Sequence, residues 1–302
     1  MNEATNGEPS QGGGQPASDK YGWERWRWDE SLFQGTALFY RRGRTPYAPG
    51  LANAIAESLS LDGHDRLLDV GCGPGTICLR LAHLFESVTG LDPDRGMLDE
   101  ARRAADEQHI NNAHWIQKRA EALPAGLGSF RVITFAQSFH WMDRSKVAAA
   151  VRTMIEPNGA VVQIDPRIHD GSATTPAVGS HPTVPESAVD DLRRRYLGTD
   201  RRAGKSLRNT SPSGEDSIFQ HAGFLPEERT TVTDGRILDR SVDDIVASVF
   251  AASSTAPHLF GQRLPEFEAD LRGLLSEASP AGLFSVPLSD NEVRIRRPRT
   301  LQ

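Results

Sequence analysis

The stretch "RLLDVGCGPGTICLRLAHLF", residues 66–85, constrains the chain more than any other. An apolar run leads into three glycines in five positions, and apolar residues then recur at helical spacing. A strand that turns through glycines into a helix is a shape in which proteins hold a phosphate, a dinucleotide or a nucleoside. A phosphate-cradling loop needs G-x-x-x-x-G-K followed by Ser or Thr, and no Lys follows this turn. A dinucleotide turn needs G-x-G-x-x-G. Gly71 and Gly73 fill its first two places, but Thr76 stands in the third and the last glycine falls one residue early, at Gly75. Asp69, two residues before the first glycine, would repel a pyrophosphate and suits a ligand that carries an ammonium group.

The same alternation continues along the chain. Strands are predicted at 67–70, 87–92, 114–119, 130–138 and 159–165. Helices are predicted at 76–85, 96–108 and 144–155, with Met97, Ala101 and Ala104 facing inward on the second. Strand and helix alternate over about 100 residues, which predicts an α/β fold with a doubly wound parallel sheet and helices on both faces. A further helix over 48–61 precedes the first strand. Two more strands are predicted at 229–234 and 292–297. The 57 residues between Asp234 and Glu292 read as helical, starting from a capping pair at Ser241 and Asp244. Helices are also predicted around Val189, Leu192 and Tyr196, over 216–222 before Gly223, and over 264–275.

Bulk properties exclude several classes. A net charge of −6 gives no general attraction for nucleic acid or an anionic membrane. The aromatic-rich segment 21–33 accordingly reads as helix packing on a core, not as a base-stacking platform. Arg193–Arg195 and the arginines of 294–299 read as solvated faces. Cys72 and Cys78 are the only cysteines. They form no C-x-x-C pair, which excludes a zinc framework or disulfide scaffold and suits a reducing cytoplasm. The histidines, among them His169, are scattered and predict no metal cluster. No apolar run approaches the roughly 18 residues of a membrane helix. The expected organisation is a disordered tail at 1–28, a helical flap at 29–60, a ligand-binding core at 61–166, and the remaining strands with a helical lid at 167–302.

The run Leu67-Leu68-Asp69-Val70-Gly71-Cys72-Gly73-Pro74-Gly75 resembles motif I of class I S-adenosylmethionine-dependent methyltransferases: two aliphatic residues, an acid, an aliphatic residue and G-x-G-x-G. Asp92 stands 17 residues after Gly75, where that family has the acid that binds both ribose hydroxyls. "KRAEALP" is similar to the loop that flanks the adenine, with Ala120 and Glu121 in matching places. "IEPNGAVV" is similar to the turn before the family's fifth strand, with Asn158 replacing a glycine. "FYRRGRTPYAPGL" and "AQSFHWMD" resemble segments of a subgroup that includes trans-aconitate-type (type 11-like) enzymes; Arg44-Thr45-Pro46 matches it imperfectly.

The resemblance implies a seven-stranded, mostly parallel Rossmann-like sheet and S-adenosyl-L-methionine as cofactor. It implies a small organic acceptor methylated on oxygen, carbon or nitrogen, such as a secondary metabolite, with neither nucleic acid nor membrane as partner. The implied cofactor contacts are Tyr40, Arg44, Asp69, Gly71, Gly73, Gly75, Asp92, Met97, Ala120, Glu121 and Gln137. Several of these keep a second reading: Met97 as core, Arg44 as a surface cation, Asp92 as a helix N-terminal charge. His140, at the end of a central strand, is the candidate catalytic base, with packing against Trp141 as the alternative. Non-adjacent function classes also stay open: a non-catalytic S-adenosylmethionine binder, and a nicotinamide-dependent oxidoreductase.

Overall fold

The computed structural model describes residues 29–167, 179–200, 202–203, 206–207 and 214–300. The expected tail at 1–28, His169 and the middle of the loop after the fifth strand lie outside the described residues. Two short helices, α1 (Ala37–Gly43) and α2 (Leu51–Leu59), come first. Then follow β1 (Arg66–Val70), α3 (Thr76–Leu81), β2 (Ser87–Asp92), α4 (Arg95–Glu107), β3 (Ala113–Gln117), β4 (Phe130–Ala136), α5 (Arg144–Met154) and β5 (Ile155–Pro166). The second half holds α6 (Glu186–Leu197), α7 (Glu215–His221), β6 (Glu228–Val232), β7 (Ile237–Ser241), α8 (Val242–Phe250), α9 (Leu264–Ala278), β8 (Leu283–Pro287) and β9 (Asn291–Arg296).

Seven strands form one sheet in the order β3-β2-β1-β4-β5-β9-β6. The first five run parallel, and β9 is antiparallel to both β5 and β6. Alternate residues of the central strands go to opposite faces, as the two-residue period of a strand requires. Leu67, Val132 and Val162 pack with Ile55 of α2 and Ile77 of α3. Leu68, Ile133 and Val161 pack with Val147 and Val151 of α5 and Phe219 of α7. Burial on both sides explains why these strands read as continuous apolar runs. Chain order reverses between β1 and β4, which opens a crevice at their carboxyl ends, where such sheets bind ligands. The antiparallel β9 departs from the six-strand dinucleotide order, which argues against the nicotinamide reading. Among the described residues no helix is long and apolar enough to cross a membrane.

The segment between β6 and β9 has its own apolar core. Ile245 and Phe250 of α8, Phe267 and Leu271 of α9, and Leu192 of α6 converge there, with Phe260 stacked on Phe267 at 4.1 Å. Ser241 and Asp244 form the anticipated capping box, each side chain accepting the other's backbone N–H. The segment is not purely helical, however: β7 and β8 pair antiparallel across it. Neither strand has a five-residue alternation strong enough to stand out, and their partnership spans some 40 residues of helix.

Helix α1 is clasped from both sides. Arg41 reaches Glu107 of α4 at 2.9 Å, and Arg42 reaches Asp244 of α8 at 2.6 Å. At Gly43 the backbones of α1 and α8 meet so closely that a Cβ would lie 2.3 Å from the Ala247 carbonyl oxygen. Gly43→Ala must therefore push the two helices apart, and should cost about 1–3 kcal/mol. Thermal melts check this; an unchanged midpoint would contradict the close approach.

Candidate functional site

The glycine turn sits at the carboxyl end of β1. Gly71, Gly73 and Gly75 have φ of +72°, +53° and +76°, a region that side chains with a Cβ rarely adopt. The N–H groups of Gly71 and Cys72 both donate to the Leu91 carbonyl, at 2.7 and 3.1 Å, which ties the turn to β2. Asp92 ends that strand. Its Oδ2 accepts from the Gly73 N–H and its Oδ1 from the Asp94 N–H, each at 2.9 Å. One carboxylate thus holds the turn and starts the loop into α4.

These groups border an open cleft of about 370 Å³, within the range of small-ligand sites. Of the anticipated cofactor residues, Tyr40, Arg44, Asp69, Gly71, Gly73, Asp92, Met97, Ala120, Glu121 and Gln137 line it. A Cβ at Gly73 would meet nothing within 4 Å, so this glycine leaves open space that a ligand can occupy. A Cβ at Gly71 would strike Ser138.

Two anticipated residues are placed differently. Gly75 does not border the cleft: a Cβ there would fall 2.4 Å from the Trp115 ring and 3.1 Å from Ala101. Its role is to let α3 and the turn close on β3 and α4. His140 does not line the cleft either; its ring lies against Trp141, with centroids 4.7 Å apart. The turn 139–141 buries Phe139 among Phe135 and Phe219 and presents Trp141 and Met142 to the cleft. The packing reading of His140 fits this placement.

Asp69 is buried between β1 and its neighbours. Its Oδ1 accepts from the Thr134 hydroxyl at 2.7 Å, and the Cys78 thiol approaches Oδ2 at 3.4 Å. Burial pushes both Asp69 and Asp92 up to about 6, against the lowering effect of these hydrogen bonds. Glu121 moves the other way. Burial would raise it, but the Asp143 N–H and Arg119 at its two oxygens outweigh that and lower it. Met97 is 2% exposed and also lines the cleft. Arg44 lies over the Tyr40 ring and donates to the Ala251 carbonyl at 3.3 Å. Gln137 adopts φ +54°, a strained conformation for a non-glycine residue, and donates to the Tyr47 hydroxyl at 3.4 Å.

Tyr47, Ser138, Met142 and Asn291 also line the cleft and were not anticipated. Tyr47 lies three residues after Arg44 in the same segment, so its neighbourhood was a usable signal. Asn291 was not findable locally, because it reaches the site only through the pairing of β9 with β5. Among the described residues no group of three or more His, Cys, Asp or Glu side chains is placed to hold a metal ion.

The raised carboxyl at Asp69 has a consequence for stability. It holds its proton more tightly in the folded chain than in the unfolded one, so folding stability falls as pH rises from about 4 to about 6 and levels off above. Asp69→Asn removes that loss. The stability difference between variant and wild type should shift in the variant's favour by about 3 kcal/mol between pH 4 and pH 7, whatever its starting value. Denaturant unfolding at pH 4, 5, 6 and 7 measures it, and a constant difference would contradict the burial argument.

Comparison with known proteins agrees with this geometry. Residues 67–159 match the model of a family described as "Methyltransferase domain". An uncharacterized methyltransferase of Mycobacterium tuberculosis is 30% identical over 134 residues, 44% of this chain and 51% of that one. A tRNA (uracil-5-)-methyltransferase homologue of Mus musculus is 39% identical over 85 residues, 28% of this chain and 14% of that one. The chain spans about half the length of the first curated relatives it matches. Among solved structures, the cyclase SpnF superposes with a TM-score of 0.51 at 18% identity, covering 90% of this chain and 98% of that one, a likeness of fold alone. By strand order and turn sequence, residues 67–159 lie in a Rossmann-like sheet, and they match the methyltransferase-domain model.

Proposed function

We propose that the protein transfers a methyl group from S-adenosylmethionine to a small organic acceptor. The observation that carries this reading is the pair formed by Gly73 and Asp92. A backbone open to close approach stands beside a buried carboxylate that borders a cleft at the strand-order reversal. When bound, S-adenosylmethionine would supply a sulfonium-activated methyl group. Asp92 has the acceptor oxygens for two vicinal hydroxyls, and the buried Asp69 suits an ammonium group. Met97, Ala120 and Glu121 form an apolar slot with an acidic rim for the base. Arg44 and Tyr40, on the flap, would meet the carboxylate end. Gly71 lets the turn approach Ser138, and Gln137 borders the same cleft.

Since His140 stands off the cleft, the chain's contribution is orientation and exclusion of water more than proton transfer. Holding two reactants in line lowers a barrier by several kcal/mol without any base. The α1 flap and the helical segment over β7 and β8 would serve as the lid. A small acceptor is favoured by the cleft's size and by the chain's net negative charge, which gives RNA no electrostatic reason to dock.

Asp92→Asn keeps the side chain's shape but removes the charge and one acceptor. It should weaken S-adenosylmethionine binding by about 1.5–3 kcal/mol. Because the Asp92 carboxyl protonates near pH 6, wild-type affinity should fall as pH drops through 6. The variant should lack most of that dependence. Calorimetric titration at pH 5 to 8 tests both, and equal affinities would sink the ribose assignment.

A further inference from the structure

Strand β9 brings to the cleft a side chain that the cofactor contacts do not use. The strand runs antiparallel to β5, so its first residue, Asn291, pairs with the last residue of β5, Pro166, at the end of the sheet where the crevice opens. In the sheet order β9 stands three strands beyond β1, on the side away from Asp92. At ~4.8 Å per strand that is roughly 14 Å. A ligand seated between the glycine turn and Asp92 therefore leaves this part of the cleft to its reaction partner.

Asn291 is 4% exposed and lines the cleft with Tyr47 and Gln137. Its Oδ1 accepts from the Ala48 N–H at 2.7 Å. A backbone N–H can only donate, so this bond settles which end of the amide meets Ala48 and leaves the NH₂ for another partner. Among the described residues nothing accepts from that NH₂. A buried donor without an acceptor is costly, and the cleft is where one can arrive. The wall behind Asn291 is firmly held. The Ala48 carbonyl accepts from Arg80 of α3 at 2.6 Å, and the Tyr47 carbonyl accepts from Arg236 at 3.3 Å. Three successive backbone polar groups are thus fixed from α3, from the turn between β6 and β7, and from β9. The Tyr47 hydroxyl accepts from Gln137 at 3.4 Å, so the neighbouring amide NH₂ already has a partner. Both signs of charge surround this wall: Arg236 pairs with Asp234, Arg294 pairs with Asp165, and Arg80 adds a further cation. Selection at Asn291 therefore turns on hydrogen-bond polarity, and a neutral or an ionised oxygen can satisfy it.

We propose that Asn291 is a specificity-determining residue for the acceptor: its NH₂ donates to a carbonyl or carboxylate oxygen of the molecule to be methylated and disfavours a group that presents only N–H. The bond from Ala48 holds the amide ready, and the arginine-pinned segment keeps Ala48 in place. A group that brings only donors leaves the buried NH₂ unpaired and adds an unpaired donor of its own. The inference rests on the methyl-transfer reading for the purpose of the contact, while the polarity preference is a binding property of Asn291 itself.

The test uses the full chain saturated with S-adenosylhomocysteine and three probes of nearly the same shape, benzamide, benzoate and benzamidine, titrated by NMR. Benzamide offers a neutral oxygen, benzoate an ionised one, and benzamidinium only N–H groups. At least one of the two oxygen probes should bind wild type about tenfold more tightly than benzamidine, and which one does so identifies the oxygen as neutral or ionised. Asn291→Asp keeps an oxygen for the Ala48 N–H but replaces the NH₂ by an acceptor, so the order should reverse in favour of benzamidine. In proton–nitrogen correlation spectra, the side-chain NH₂ pair that this variant lacks should move as the oxygen probe is added to wild type. Benzamidine binding wild type as tightly as both oxygen probes, binding of none of the three, an unchanged order in Asn291→Asp, or an unmoved NH₂ pair would each overturn the proposal. S-adenosylhomocysteine affinity on the same samples separates the two readings. If wild type fails to bind it, the methyl-transfer reading fails. If it binds and the probe pattern is absent, only the role of Asn291 does.

Discussion

Two carboxylates, Asp69 and Asp92, end adjacent parallel strands in a crevice lined largely by apolar groups, and among the described residues neither belongs to an ion pair. Every other feature of the site is arranged around this. The Asp92 oxygens take the Gly73 and Asp94 N–H groups, so the same side chain that waits for a ligand also shapes the turn and launches α4. Asp69 is held by Thr134 from the neighbouring strand. Burial without a cation is costly, which the rise of both groups to about 6 records. Under the proposed function, a ligand with vicinal hydroxyls and an ammonium group would offset that cost at both positions.

Around this core the chain builds a cover. Helix α1 is the joint, because Arg41 fastens it to α4, while Arg42 and the bare backbone of Gly43 fasten it to α8. The flap before the glycine turn and the segment after β6 are about 200 residues apart in sequence, yet they form one wall. Phe39 of α1 lies 5.1 Å from Phe250 of α8, which extends the cover's apolar core into the flap. Movement of the cover would therefore carry α1 with it, and Tyr40 and Arg44 at its end.

Much of this was legible in the sequence where the governing interactions are local or periodic. The strand–turn–helix of residues 66–81 and the Ser241–Asp244 box depend on neighbours a few residues away, and Asp92 stands at a fixed spacing from the turn it bonds. The strands of the sheet core announced themselves by burial on both faces. What was not legible depends on distant partners. The β7–β8 ladder closes across two helices. Gly75 looks like its two companions in the turn, and only the position of Trp115 on β3 shows that it serves packing. His140 sits beside Trp141 in sequence, but a single tight turn decides which of the two meets the cleft. Asn291 becomes a site residue only once β9 has inserted between β5 and β6.

The most direct test of the central claim is a crystal structure of the full chain with S-adenosylhomocysteine. The account predicts ligand density in the crevice with both ribose hydroxyls within about 3 Å of the Asp92 carboxylate, the chain of the ligand passing Gly73, and the amino group nearest Asp69. Density elsewhere, or a ligand in the crevice whose ribose leaves Asp92 bonded only to Gly73 and Asp94, would contradict it.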